Sequence, residues 1–581
     1  MNRREFLQLL AQASVAAQLA GCKSLAASST DELYRMPGGA DVRLLHITDT
    51  HAQLQPVYFR EPHVNLGIGN ARSKMPHLVG QHLLDAIGSF SAREKHAFTY
   101  LDFAAAAEQF GRVGGFSHLS TLVQQMRASA PGSLLLDGGD TWQGSGTALW
   151  TRGRDMVGAC NLLGVDVMTG HWEFTYNDEE VLENVSDFQG DFVANNVVAT
   201  EDALFDGVEV FDEDSGHVFQ PYIVKEVNGR RIAVIGQAFP YTPIANPQRF
   251  IPDWTFGIRE SDLADQVSHV RTTEKPDAVV LLSHNGMDVD LKLASQVPGI
   301  DAILGGHTHD GIPVPVEVKN SGGITLVTNA GSNGKFLGVL DLKFGASGVS
   351  GYDYRLMPVF ANMLEEDAAM ARYIADVRKP YEGRLSEKLA ETESLLFRRG
   401  NFNGSFDQVI VDALRSQLDA EVAMSPGFRW GTSLLPGDSV TMEDVLSQTC
   451  ITYPETYVRD MSGEEIKTIL ESVADNLFNA DPYYQQGGDM VRTGGLQFEC
   501  WPNEKMGERI QNLQDTSGKA VAASKNYRVA GWATVGSKSP GAPVWDVVGD
   551  YLRSEGTIKI DSIDEPILRG VQNNPGLAQL S

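Results

Sequence analysis

Hydrophobic and polar positions follow one rhythm over the first two thirds of the chain and another after it. Between about residues 40 and 360, short apolar runs alternate with amphipathic stretches; the runs read VRLLHITD, SLLLDGGD, VDVMTG, DFVANNV, RIAVIGQ, AVVLLSHN, AILGG and ITLVTNAG. Consecutive apolar positions closed by a polar residue and then glycine or asparagine predict buried strands, and their alternation with helical patterns predicts an α/β fold. Residues 363–396 turn charged and helical (EEDAAMARYIADVRKPYEGRLSEKL), which predicts a linker helix. Helical patterns at 407–414, 437–446 and 462–474 predict a second α/β domain over residues 397–575. No internal repeat or low-complexity tract interrupts this order.

Polar residues at the ends of buried strands are where α/β folds place their sites. Here they are Asp49 and His51 in LLHITDTH, Asp140 in LLLDGGD, His171 in TGHWEF, His284 in LLSHNG, and His307 and His309 in GGHTHD. Five of the 13 histidines thus sit at strand–loop junctions together with two aspartates. Buried aspartate is rare unless it is paired or bound to a cation, so the set points to a two-metal hydrolytic centre with a bridging carboxylate. On a continuing strand His171 and Trp172 would face opposite sides, leaving one of them turned away from the core. Glu173, by the same alternation, faces away from the site and supports a strand.

Composition narrows the classes. With 581 residues, 42% apolar and 21% charged, the chain is globular and long enough for two or three domains. A net charge of -28 argues against binding nucleic acid, whose phosphates it would repel. The N-terminus, MNRREFLQLLAQASVAAQLAGC, pairs Arg3 and Arg4 ahead of a mildly apolar stretch, the pattern of a twin-arginine export signal over residues 1–27 and hence of a periplasmic protein. Leu19-Ala20-Gly21-Cys22 reads as a lipoprotein cleavage box that would anchor the protein at Cys22, and cleavage after Ala26 is the competing reading. No other run approaches a membrane span. Cys160, Cys450 and Cys500 are too scattered for a disulfide framework or a zinc knuckle and read as structural.

The order D-x-H, GGD, G-x-x-E-F, SHNG and GGHTHD resembles the calcineurin-like metallophosphoesterases, in particular their 5'-nucleotidase branch, and FDQVIVDAL, PGDSVTMEDVLSQ and SGEEIKTILE echo that branch's C-terminal domain. The resemblance implies a four-layer sandwich of mixed sheets flanked by helices over residues 40–362, followed by the nucleotidase-type domain. It implies that Asp49, His51, Asp140 and one of His307 and His309 hold one metal. Asp140 bridges, and His171, His284 and the other member of the pair hold the second. The branch normally reads GNHEFD at the third motif, with its histidine, steadied by the aspartate, protonating the leaving group. In GHWEFT, His171 stands at the asparagine position, Trp172 replaces the acid and Thr175 replaces its aspartate. Loss of a positioned general acid costs a factor of about 10² to 10⁴.

GHWEFTY, GGDMVRTGGL and GWATVG together are similar to the thiosulfohydrolases of the periplasmic Sox sulfur-oxidation system. That subgroup implies two manganese ions, a sulfur-carrier protein as partner and a sulfonate on a cysteine of its C-terminal arm as substrate. Asn177 stands where the subgroup usually has glycine, a place that asparagine fills where φ is positive. Arg429 in SPGFRWG and Arg492 in DMVRTGG are candidate sulfonate contacts, Asn285 is a candidate to orient an oxygen, and Trp172 and Tyr176 are candidate channel residues. A periplasmic nucleotidase or nucleotide-sugar hydrolase is the alternative.

Overall fold

Register, rather than any single strand, brings the polar strand ends together. The computed structural model describes residues 30–578 except Pro131, Ser347 and Ser537, so the export signal and Cys22 lie outside the described residues. Residues 30–37 carry one helical turn, Thr30–Leu33, and residues 38–578 belong to a separate compact unit.

Within that unit the first half builds two six-stranded sheets. In the first, Val42–Ile47, Ser133–Asp137, Val167–Met168 and Asp191–Phe192 run parallel, and the antiparallel hairpin Phe336–Gly345 and Gly348–Pro358 extends the sheet from Val42–Ile47. In the second, Arg230–Gln237, Ala278–Ser283, Ala302–Gly305 and Gly323–Asn329 run parallel, with antiparallel edges at Tyr222–Val227 and Val316–Asn320. Ile47 pairs with Asp137 and Asp137 with Met168, so three strands of the first sheet end level. Gln237, Ser283, Gly305 and Asn329 do the same in the second.

Strand alternation supplies the layers. Val42, Leu44, Leu134 and Leu136 meet Val234, Val280, Leu282 and Leu304 in one buried cluster between the sheets. The intervening residues Ala233, Ile235, Val279 and Leu281 face outward onto helices Glu260–Thr273 and Met287–Gln296. On the far side Arg43 is buried, paired with Asp341 at 2.6 Å, and donates to the Met126 carbonyl at the end of helix Phe116–Ala128. The result is the four-layer α/β sandwich expected.

The segment 363–396 forms helix Ala368–Arg378, a short helix Glu382–Leu385 and then strand Lys388–Thr392. Beyond it, a four-stranded sheet orders Thr456–Ser462, Asn526–Trp532, Val422–Ser425 and Arg492–Gly494. Helices Ser405–Gln417, Met442–Thr449, Gly463–Phe478 and Val544–Glu555 belong to the same C-terminal part. Met442–Thr449 and Gly463–Phe478 start from capping boxes closed by Asp444 and Glu465, and at the start of Ser405–Gln417 the Asp407 carboxylate accepts from the Gly404 N–H at 2.9 Å. Cys160, Cys450 and Cys500 are buried and unpaired, in keeping with a structural role. No helix among the described residues is long and apolar enough to cross a membrane.

Candidate metal centre

Level strand ends place seven polar side chains from the two sheets in one buried pocket. They form two groups whose possible ligand atoms lie within 4.8 Å of one another: Asp49, His51, Asp140 and His309, and Asp140, His171, His284 and His307. The GGHTHD pair therefore divides with His309 in the first group and His307 in the second. Asp140 belongs to both. Its Oδ2 is 3.2 Å from His171 Nδ1, 3.1 Å from His284 Nε2 and 3.8 Å from His51 Nε2, while Asp49 Oδ1 is 3.2 Å from His309 Nε2.

Asp49, His51, Asp140, His307 and His309 all have φ between 47° and 71°, the left-handed region that costs a non-glycine residue roughly 1–2 kcal/mol. Neighbouring backbone and side-chain groups hold the strained loops. Asp49 N–H donates to Gly139 O at 2.7 Å and His51 N–H to Asp140 O at 2.8 Å. His307 N–H donates to the Asp49 carboxylate at 3.0 Å, and Thr48 Oγ1 donates to it at 2.6 Å. A side chain at Gly306 would place its Cβ 2.4 Å from Thr48 Oγ1, so only glycine lets this loop close.

Glu173 ties the two motifs of the first sheet together. Its buried carboxylate accepts from Thr141 N–H at 2.7 Å, His171 N–H at 2.7 Å, Trp142 N–H at 3.1 Å and Asp140 N–H at 3.2 Å. Glu173 faces away from the pocket, as strand alternation predicts, but it clamps loops where a strand-supporting role was expected, because the chain leaves the strand at Met168 and winds into a 3-10 turn, Trp172–Thr175. For the same reason His171 and Trp172 are not on opposite faces. Both line the same cavity, with ring centroids 4.9 Å apart.

The electrostatics suit cations. Burial alone would raise the Asp140 carboxyl, but His171 and His284 outweigh it and hold it well below the usual range. Burial lowers His284, yet Asp140 and Asp49 beside it push it up to about 10. Burial pushes His51 down to about 4 against the pull of Asp140, and burial followed by the nearby Arg429 and Arg399 holds His307 and His309 well below 6.5. Neutral imidazole is the ligand form, which His51, His307 and His309 already favour, while His284 would release its proton on binding a cation. Buried His171 Nε2 and both nitrogens of His307 lack hydrogen-bond partners, a deficit that bound cations would relieve at one or more of these atoms. Oxygen and imidazole donors without thiolate fit two divalent ions of the manganese, zinc or iron kind.

This arrangement has counterparts. Residues 389–546 match the 5'-nucleotidase C-terminal domain. A solved sulfate thiohydrolase, SoxB of Thermus thermophilus, superposes with a TM-score of 0.85 at 33% identity, covering 92% of this chain and 98% of that one. The chain belongs to the 5'-nucleotidase branch of the metallophosphoesterases. A 5'-nucleotidase precursor, also from Thermus thermophilus, shares the fold at TM-score 0.70 and 20% identity over 91% of this chain and 99% of that one. The trifunctional nucleotide phosphoesterase YfkN of Bacillus subtilis is 25% identical over 73% of this chain, and UshA of Yersinia enterocolitica is 24% identical over 76% of it and 84% of its own length. The alignments span 31% and 50% of the first two curated relatives, YfkN and the rat 5'-nucleotidase.

In this 5'-nucleotidase-branch protein the pocket opens into a cavity of about 310 Å³ between the two halves of the compact unit. Trp172 lines it and also packs into the C-terminal hydrophobic cluster with Trp430 and Phe406. Phe428 and Trp430 stack on each other at 4.0 Å, and Trp172 meets both edge-on. Thr175 is buried, its Oγ1 2.6 Å from Thr452 Oγ1. Arg429 lines the cavity, held 3.5 Å from Asp489 and donating to the carbonyls of Gly488 and His307.

Three expectations need correction. Arg492 lies on the sheet and is fully buried, spent on Asp489 at 3.2 Å, Asp407 at 3.4 Å and the Gly400 carbonyl; it does not line the cavity. Tyr176 is also fully buried, and its hydroxyl donates to the Trp142 and Ala148 carbonyls, so it belongs to the support behind the site rather than to a channel. Asn177 has φ -67°, not a positive value, and instead caps helix Asp178–Asp187 in a capping box with Glu180. Asn285 donates to Asp290 at 3.2 Å and lines a smaller polar cavity on the other side of His307, together with Arg399 and Asp310.

Proposed function

We propose that the protein is a periplasmic thiosulfohydrolase that cleaves the terminal sulfonate from a cysteine S-thiosulfonate on a sulfur-carrier protein and releases sulfate. One observation carries the reading: a complete set of metal-ligand side chains stands beside Trp172 and Thr175, which occupy the places of the general acid and its partner. The 33% identity to SoxB over nearly the whole of both chains supports it. The stacked Phe428–Trp430 pair speaks against a nucleotide, because the rings leave no slot between them for a base.

Two divalent ions, manganese on this reading, would be held by Asp49, His51, Asp140 and His309 and by Asp140, His171, His284 and His307. Bound there, they would neutralise sulfonate charge and lower the pKa of water. Arg429 adds a fixed positive charge on the cavity wall. Glu173 keeps the Asp140 and His171 loops in register. Trp172, Phe428 and Trp430 exclude water from the leaving sulfur, which departs as a persulfide too weakly basic to need a proton. The partner is a carrier whose cysteine-bearing arm enters the cavity. Export follows the twin-arginine route, and mass spectrometry of the mature N-terminus distinguishes a lipid on Cys22 from a free start near Ala27.

Manganese-loaded protein should release sulfate from a thiosulfonated carrier peptide and leave AMP intact. Rapid AMP turnover without sulfate release would overturn the reading. It would favour the nucleotidase alternative, which the match of residues 389–546 keeps in view.

A further inference from the structure

The cavity wall has a consequence for substrates other than sulfonates. Its titratable side chains are the metal-ligand candidates His51, Asp140, His171, His307 and His309, together with Arg429, Tyr453 and Asp489. Tyr453 donates its hydroxyl to the Ala245 carbonyl, and burial pushes its pKa up. Burial would raise Asp489, but Arg429, Arg492 and Arg399 outweigh it and keep it ionised. Arg429 does not act as an acid. Among the described residues that line the cavity, none is left to protonate a leaving group. Around the same space Trp172, Phe428, Trp430 and Phe239 form an aromatic wall, a surface that attracts a large polarisable sulfur and solvates an alkoxide poorly.

We infer that the site selects tetrahedral oxyanion esters by the basicity of the group that leaves, and that it therefore also hydrolyses S-linked phosphorothiolate monoesters while sparing the matching O-alkyl phosphates. This extension rests on the hydrolytic reading of the site, but not on the sulfonate as its natural substrate. A phosphoryl group presents the same tetrahedron of oxygens as a sulfonate. In the step, a water oxygen bonds to phosphorus, the phosphorus–sulfur bond breaks, and its electron pair leaves on sulfur as a thiolate; the water's proton passes to solvent. A thiol has a pKa of about 8.5, whereas an alcohol lies close to water at about 15.7, so the thiolate leaves unaided and the alkoxide does not.

Cysteamine S-phosphate and phosphoethanolamine differ only in the bridging atom and form the test pair. With the spontaneous rate subtracted from each, the S-linked ester should turn over about 10² or more faster, the lower bound for an absent general acid. Stopped-flow quenching of tryptophan fluorescence should give the two esters comparable affinities, so that the discrimination resides in kcat and not in binding. Equal enzymatic turnover of the two esters would overturn the inference. Combining Trp172→His with Thr175→Asp restores an acid and its partner, and should raise phosphoethanolamine turnover about tenfold or more. Metal content and melting temperature report whether that variant is intact. If it is not, a series of aryl phosphates on the unaltered protein decides: rates should fall steeply as the phenol pKa rises, and a flat series overturns the inference.

The carrier-peptide assay, run in parallel, separates the two readings. Sulfate release with the phosphorothiolate untouched removes this inference alone. Phosphorothiolate cleavage with an inert carrier peptide removes the sulfonate assignment and leaves the inference standing. Inertness toward both, with metal bound, removes both.

Discussion

Replacing Glu173 by glutamine tests whether the metal-binding loops depend on one buried carboxylate. The two oxygens accept four backbone amides from 2.7 to 3.2 Å, two from the Asp140 loop on one oxygen and one from each loop on the other. Glutamine keeps one acceptor oxygen and turns an NH2 group toward the other pair of amides. Bonds to a charged acceptor contribute about 1.5–3 kcal/mol each, so losing two costs about 3–6 kcal/mol before any relief. Relief exists, because burial and the nearby Asp140 charge already raise the Glu173 carboxyl. A net loss of about 2–4 kcal/mol remains, within the range of a broken buried network. The affected loops carry Asp140 and His171, so metal affinity should fall about 10- to 100-fold, as when a ligand's support is removed. Calorimetric titration of metal-stripped protein with manganese, with melting curves of both forms, reads the two effects. Wild-type affinity together with an unchanged melting temperature would refute the clamp.

Other outcomes follow from the same geometry. Asp140→Asn keeps an acceptor for the Trp172 N–H at 2.7 Å but removes the charge shared by both ligand groups, so elemental analysis should find both metal positions depleted. Chelation should lower the melting temperature, since an ion present at 1,000 times its Kd stabilises by about 4 kcal/mol; identical melting with and without chelator would exclude tight resident ions. Burial works to lower His77, but Asp288 at 2.9 Å outweighs it and holds the imidazole above 6.5. A raised pKa stabilises fully below the unfolded value and ceases to do so as pH rises through the folded one. The melting deficit of His77→Gln should therefore be largest below pH 6.5 and shrink as pH rises above that value, and a deficit independent of pH would refute a stabilising His77–Asp288 ion pair.

The ligand set was legible in the chain because its signals are local. An apolar run long enough to cross a sheet, followed by aspartate, histidine and glycine, states where the strand ends and what stands there; Asp49, Asp140, His284 and the GGHTHD pair all follow that grammar. The fold class follows from the same alternation, since buried parallel strands need helices on both faces. Other features were illegible because they depend on where distant segments meet. His309 approaches His51 across 258 residues, and its assignment to the first group and of His307 to the second is a matter of loop direction. Arg429 and Arg492 look alike in sequence, and only the C-terminal sheet decides that one reaches the cavity while the other is consumed by Asp407 and Asp489. Glu173 was misjudged because a 3-10 turn replaced the strand that its neighbours suggested. Trp172 stood out in the sequence as the residue in the third motif's histidine position, but its anchoring in the C-terminal hydrophobic cluster was not legible there. Residue chemistry and strand ends are written locally, while the partners of a buried charge or ring are set by packing between segments that the chain keeps far apart.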